Sequence, residues 1–375
     1  MAPRIILMYI SEISGHHSAT IAIEKALKTL SPQAEILNIN AFNYTNPTSE
    51  KIVNRLYLGL IKAAPRIWNY LYDNPTVVKK IEKIKENIHR MNSPKLKNLF
   101  DKFKPGVVAC TQAFPCGMVA DFKKTYGSGL PLVAVLTDYI PHAYWVYDMV
   151  DYYVTPSEEV ARRLEQKGVE SLKIKPLGIP FNPGFTQPIL KEQACRKLGL
   201  DPRQIIILIM GGGQGLGPIK TIVKSLEKAK GDFQEIVVTG INKKLYRSLK
   251  KKIKKSKKKI LLYGYADNIN ELMSVSDIII TKPGGVTTAE ALAKKMAMII
   301  VKPIPGQEAN NTAYLIEMGA AVKAASAKGV RAILEGLLSD RHKLAGLRNS
   351  AEKISRPNAS FDIARLLLEA AGRSC

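Results

Sequence analysis

The stretch IIITKPGGVTTAEALAKKMAMIIVKPIPGQEANN, residues 278 to 311, limits the fold of this chain more than any other part of it. Ile278 to Ile280 is a β-branched run suited to a fully buried strand, and Pro283-Gly284-Gly285 breaks it sharply. Ala289, Leu292, Ala293 and Met296 then recur at helical spacing, which places Thr287, Thr288 and Glu290 in a first helical turn. A second strand, Met298 to Val301, leads to a Pro/Gly-rich loop bearing Gln307 and Glu308. Strand, turn, helix, strand is the unit of an α/β sheet, and its ligands bind at the turn. Helix N-termini offer unpaired N–H groups and partial positive charge to a phosphate, and glycine lets the backbone come close. Glu290 would repel phosphate but suits sugar hydroxyls, as the acidic residue of dinucleotide folds suits a ribose. Gln307 and Glu308 can hold vicinal hydroxyls, so the segment points to a nucleotide sugar.

The same rhythm runs through the rest of the 375 residues, a length that accommodates two domains with separate cores. Ile5 to Ile10 reads as a strand, followed by SEISGHH and a helix from about Ser18 to Leu30. Gly15, His16 and His17 therefore stand at a helix N-terminus. A histidine there either caps the helix or is held neutral by the helix dipole, the state a general base requires. Val107 to Cys110 and Leu132 to Leu136 read as strands, the second ending in TDYIPHAYW. Thr137, Asp138, His142 and Trp145 thus follow a strand C-terminus, where open α/β sheets bind ligands, although Asp138 and His142 could equally form a structural pair. The Pro/Gly-rich LGIPFNPGF reads as an interdomain hinge, closing a first domain at residue 185. A second, residues 186–355, opens with the strand Ile205 to Met210 and the turn GGGQGLGP. Gly211 to Gly217 is a phosphate-cradle candidate, with Pro218 suited to the first helical position and no P-loop Lys-Ser/Thr ending. Strands Glu235 to Val238 and Ile260 to Tyr263 follow, and 356–375 forms a terminal helix that could pack back on the first domain.

The formal net charge of +24 implies an anionic partner: phospholipid, nucleic acid or phosphate-bearing substrate. Two regions concentrate it. In residues 46–75, Ile52, Val53, Leu56, Tyr57 and Leu60 share one helical face bordered by Lys51, Arg55 and Lys62, with Trp68, Tyr70 and Tyr72 beyond Pro65. That pattern fits an interfacial membrane helix or a core helix with solvated lysines. Val77 to Met91 is a second basic amphipathic stretch. The lysine-rich run Lys243 to Lys259 reads as a solvated helix face, with contact to an anionic surface as the alternative. No stretch approaches the ~20 apolar residues of a membrane span, and the N-terminal run is strand-like rather than a leader, so a cytosolic protein is expected. Cys110, Cys116, Cys195 and Cys375 lack metal-ligand spacing and read as reduced thiols.

Taken together, SEISGHH, TDYIPHAYW, GIPFNPGF, GGGQGLGP, TKPGGVTTAEAL and PIPGQEANN resemble the monogalactosyldiacylglycerol synthase and processive diacylglycerol glucosyltransferase group of glycosyltransferase family 28. The resemblance implies a GT-B fold, two doubly wound Rossmann-like α/β domains facing across a cleft. It implies an inverting transfer of glucose or galactose from UDP-glucose or UDP-galactose to diacylglycerol, at the inner face of the cell membrane, by a peripherally bound enzyme. His17 matches the histidine beside the acceptor hydroxyl, in a turn where the family usually has Gly at the position of His16. Glu290 matches the ribose-binding glutamate, and Gln307 and Glu308 the residues on the donor sugar. Gly284, Gly285 and Thr287 would lie along the diphosphate, Ala266 at the uracil, and Gly212, Gly213 and Gln214 near sugar and diphosphate. Asp138, His142 and Trp145 match the acceptor side, the tryptophan touching lipid, and Lys51, Arg55, Leu56, Lys62 and Trp68 would meet an anionic membrane. No Asp-x-Asp occurs, so no metal or other cofactor is expected. Alternative activities are N-acetylglucosamine transfer to a polyprenyl-linked peptidoglycan precursor and UDP-sugar epimerisation. A basic nucleic-acid-binding protein would explain the charge but not the glycine turns, so no nucleic-acid partner is expected.

Overall fold

The structure, a computed structural model, describes residues 2–12, 14–45, 93–141, 145–303 and 306–372. These form two compact units, one within Met1–Pro183, Ile304–Gln307 and Asn358–Cys375, the other within Gly184–Pro303 and Glu308–Pro357. Residues 46–75, with Lys51, Arg55, Leu56, Lys62 and Trp68, lie outside the described residues, as do Val77 to Met91, His142 and Cys375.

In the first unit the chain runs β1 (Arg4–Tyr9), α1 (Gly15–Leu30), β2 (Glu35–Asn40), β3 (Val107–Cys110), α2 (Ala113–Tyr126), β4 (Leu132–Val135), β5 (Tyr152–Val154), α3 (Glu158–Glu165) and β6 (Ile174–Lys175). All six strands are parallel, in the order β2-β1-β3-β4-β5-β6. Buried on both faces, β1 needs no polar alternation, and its side chains supply two cores. Ile6 and Met8 pack with Met118 of α2 and Leu164 of α3, while Ile5 and Leu7 pack with Ile23 and Leu27 of α1. Each such side chain contributes roughly 1.5–3 kcal/mol by leaving water. The strand order reverses direction between β1 and β3, so the loops leaving them lead to helices on opposite faces of the sheet, the arrangement that opens a crevice at a switch point.

The second unit runs β7 (Ile205–Met210), α4 (Ile219–Leu226), β8 (Phe233–Val238), α5 (Lys243–Ile253), β9 (Ile260–Tyr263), β10 (Ile278–Thr281), α6 (Gly285–Ala293), β11 (Ala297–Val301), α7 (Gln307–Glu317), β12 (Ala321–Ala324) and α8 (Ala327–Ser339). Its sheet is also parallel and six-stranded, ordered β12-β11-β10-β7-β8-β9, with Ile278 opposite Ile207 and Ile280 opposite Ile209. The reversal here falls between β7 and β10, the two strands that precede the glycine turns. Pro218 occupies the N-cap of α4 rather than its first helical position.

The C-terminal helix, α9 (Ala359–Gly372), returns to the first unit. Ile363, Ala364 and Leu367 complete the core over Ile5, Leu7 and Ile23. Ser360 fixes the return, its Oγ accepting from Phe181 N at 3.0 Å and donating to Phe181 O at 2.5 Å. Gly106 admits the helix end: a Cβ there would stand 3.0 Å from the Ala371 carbonyl oxygen.

Candidate active site

At the carboxyl edge of the first sheet, Ser11 takes a left-handed φ of 69° and turns the chain off β1. Ser14 then caps α1, its Oγ accepting from His17 N at 3.2 Å. The cap starts the helix at Gly15, three residues before the expected start, so both histidines are helical residues of the first turn.

Their rings point to different neighbours. His16 Nδ1 lies 2.9 Å from the Thr111 carbonyl oxygen and 3.0 Å from Thr137 Oγ1, joining α1 to the ends of β3 and β4. Its own carbonyl accepts from Thr20 Oγ1 at 3.0 Å and Thr111 Oγ1 at 3.1 Å. A carbonyl only accepts, so Nδ1 carries the hydrogen and Nε2 of the neutral ring keeps its lone pair. Burial lowers the His16 pKa below the ordinary value, against the opposing charge of Asp138. His17 instead stacks on Tyr9 with ring centroids 4.4 Å apart. Its Nδ1 is 2.8 Å from the Glu12 carbonyl oxygen and its Nε2 3.6 Å from Glu12 Oε2. Among the described residues His16 is the histidine that meets Thr137, and it feels the charge of Asp138. Trp145, expected at lipid, is 3% exposed and packs in the core with Val150 and Tyr153, where so large an apolar surface is best placed.

In the second unit the glycine turns have two different duties. Gly240 allows the loop after β8 to close on the loop after β7: Ile241 N donates to Gly213 O at 2.9 Å, and a Cβ at Gly240 would come within 2.1 Å of that oxygen. At Gly212, Gly213 and Gly284 an added Cβ would meet nothing within 4 Å, so these backbones border open space. Gly285 and Thr287 lie in the first turn of α6, and Gln214 sits in the loop after β7. Ala266, half-buried, sits in the turn after β9.

Glu290 falls in the second turn of α6, not the first, because the helix begins at Gly285. Its side chain is half-buried and has no hydrogen-bond or ion-pair partner among the described residues. Burial pushes its pKa up to about 8. A bound hydroxyl-rich ligand would supply the donors that this carboxylate lacks. Gln307 and Glu308 open α7 rather than lying on a loop, since Gly306, at φ 88°, turns the chain into the helix immediately before them.

Two further residues, not singled out from the sequence, fix this region. Lys282 Nζ donates to Glu308 Oε1 at 2.7 Å, and the two side chains are only 14% and 17% exposed. Asn311, fully buried, donates from Nδ2 to the Pro283 carbonyl oxygen at 3.0 Å. The segments TKPGG and QEANN are therefore one tied unit. Lys282 also runs past the glycine loop, its Cδ 3.7 Å from where a Gly217 Cβ would stand.

Two parallel sheets, each reversing its strand order at a switch point and the second bordered there by open glycine turns, are those of the GT-B fold. The solved structures agree on the fold. MurG of Acinetobacter baumannii superposes with a TM-score of 0.65 at 13% identity, over 98% of this chain and 100% of that one. Anabaena Alr3699/HepE in complex with UDP-glucose gives 0.54 at 13% identity, over 99% and 98%. Residues 16–181 match the family model for monogalactosyldiacylglycerol (MGDG) synthase, and residues 206–360 that for the glycosyltransferase family 28 C-terminal domain. A processive diacylglycerol beta-glucosyltransferase of Bacillus licheniformis is 31% identical over 350 residues, 91% of this chain and 90% of the relative. The chain belongs to glycosyltransferase family 28, in the group of the monogalactosyldiacylglycerol synthases and processive diacylglycerol glucosyltransferases.

Proposed function

We propose that this chain transfers a hexose from a UDP-hexose to diacylglycerol at the inner membrane surface, with inversion at the sugar. The observation that carries the donor side is Glu290: a half-buried carboxylate without a partner, one turn behind a helix N-terminus whose glycines border open space. Ribose hydroxyls would satisfy it, and the diphosphate would lie along Gly284, Gly285 and Thr287, near Gly212, Gly213 and Gln214, with uracil at Ala266. Gln307 and Glu308 would hold the sugar. The acceptor follows from likeness to relatives named for diacylglycerol, and glucose is favoured over galactose on the same ground.

In the reaction the diacylglycerol hydroxyl oxygen bonds to sugar C1 as the C1–O bond to UDP breaks on the opposite face, and the hydroxyl proton passes to an imidazole Nε2. Backbone N–H groups and helix N-termini take up the charge on departing UDP, so no metal is required. The sequence pattern assigns the proton to His17. The contacts favour His16, whose Nδ1–H is fixed by Thr111 and Thr137 and whose ring feels the charge of Asp138. Among the described residues no helix is long and apolar enough to cross a membrane.

The test is transfer from radiolabelled UDP-glucose and UDP-galactose to diacylglycerol in mixed vesicles by wild type, His16→Ala and His17→Ala. Labelled glycolipid from wild type is expected with UDP-glucose, and its loss in one alanine variant identifies the base. UDP binding without labelled lipid from either donor would overturn the acceptor, and polyprenyl acceptors and epimerisation would be tested next.

A further inference from the structure

We infer that the outer face of α4 and α5 is a second membrane-docking surface, an array of close-set cations that fits a bilayer containing anionic phospholipid. Both helices cover the same face of the second sheet, with Ile222 and Val223 of α4 and Leu249 of α5 in one core over Ile207 and Val237. Their outer sides therefore form one continuous surface. On α5, Lys244, Arg247 and Lys251 recur at i, i+3 and i+7 and are exposed, as are Lys220 and Lys224 on α4. Neither helix contains an acidic residue.

The cations of this face lie close together, with Glu227 as the counter-charge felt at Lys252. Several exposed cations elsewhere are paired, as Lys97 is with Asp101 and Lys295 with Glu352. Among the described residues none of the cations of α4 or α5 enters a salt bridge. Glu227, at the end of α4, is turned to Ser256 Oγ at 2.6 Å and Lys257 N at 3.0 Å. The crowding is felt at Lys252, whose pKa is lowered by burial and then by Lys224, with Glu227 opposing and Lys220 adding to the shift. Like charges gathered in this way repel one another until an external anion compensates them.

The neighbours of the patch favour a bilayer over other polyanions. Ile241, 50% exposed, immediately precedes the cap of α5, and Leu216, 39% exposed, lies in the turn before α4. The Ile241 N to Gly213 O hydrogen bond ties their two loops together. Apolar side chains at the ends of two cationic helices suit an interface where lysines meet headgroups and aliphatic tips enter the acyl boundary. The choice of a bilayer also rests on the diacylglycerol reading above, since that acceptor resides in one.

The experiment is co-sedimentation of the full chain with vesicles of equal parts phosphatidylcholine and phosphatidylglycerol, without donor or diacylglycerol. Wild type is compared with the combined variant Lys220→Gln, Lys224→Gln, Arg247→Gln, Lys251→Gln. Four lost headgroup contacts should weaken binding by about two orders of magnitude or more, with little binding of either protein to pure phosphatidylcholine. Unchanged UDP affinity in the variant would show that its fold is intact. Equal sedimentation of both proteins would overturn the proposal, as would tighter wild-type binding to polyuridylate RNA than to the anionic vesicles. Because sedimentation needs no turnover, its outcome is separable from the transfer assay: vesicle binding lost through these cations in a chain that labels no lipid sinks only the transferase reading.

Discussion

The two switch points of this molecule are built in opposite ways. At the first, between β1 and β3, the polar groups already have partners: His16 is held by Thr111 and Thr137, and Thr20 bonds Thr111 at 3.0 Å. At the second, between β7 and β10, Gly212, Gly213 and Gly284 border open space and Glu290 has no partner. A group that must move a proton gains from a fixed tautomer and orientation, whereas a group that must receive hydroxyls and phosphate gains from being left unsatisfied until they arrive. On the proposed function, one edge would serve the chemistry and the other the binding.

The sharpest way to break the comparison is to remove the fixed imidazole. His16→Ala should lower turnover by about 10²–10⁴ with little change in UDP affinity, measured by steady-state transfer and calorimetric titration. Matched losses in both quantities would show that the first edge also binds donor, and a full loss confined to His17→Ala would return the base to His17.

A second prediction concerns another unpartnered carboxylate of the second unit. Glu235, on β8, is fully buried with neither oxygen hydrogen-bonded, and burial raises its pKa to about 8. The folded value lies above the unfolded one, so the neutral acid favours folding. That contribution is complete below the unfolded pKa and is lost as pH rises through about 8, a change of roughly 3–5 kcal/mol. Denaturant melts from pH 5 to pH 9 should show this loss, and Glu235→Gln should remove most of it. UDP-glucose should not alter the Glu235 titration, whereas it should shift that of Glu290, which infrared carboxyl bands can follow.

Smaller effects sharpen the binding edge. Glu290→Gln should weaken UDP affinity by roughly tenfold to a hundredfold, the range for a charged hydrogen bond, as read by titration with UDP alone. Lys282→Met leaves Glu308 a half-buried charge without its ion pair and should raise the KM for UDP-glucose about tenfold while changing UDP affinity less. An equal change for UDP would place Lys282 on the diphosphate instead of behind the sugar.

What could be read from sequence divides along the same line. The strands β1, β7 and β10 were legible because doubly covered parallel strands are uninterrupted apolar runs, as in Ile205 to Met210. The open glycines were legible because each closely follows such a strand, Gly212 and Gly213 after β7 and Gly284 after β10, with Glu290 close behind in the helix. Contacts between distant segments were not: His16 meets Thr137 across 121 positions, and Lys282 meets Glu308 across 26. Adjacent histidines gave no sign of which ring faces β4, since that depends on the Ser14 cap setting the helix phase. Glu235 was read only as the start of a strand, and its burial follows from β8 lying between β7 and β9.

The most direct test of hexosyl transfer to lipid is the anomeric configuration of the product. Wild type would be incubated with UDP-glucose carrying an isotope label at C1 and with diacylglycerol vesicles, and the new anomeric resonance followed by NMR. A β-linked glucosyl diacylglycerol, appearing as UDP is released, is the expected result. An α-linked lipid would contradict inversion, and label found only in free glucose or in an epimerised UDP-sugar would contradict transfer to diacylglycerol altogether.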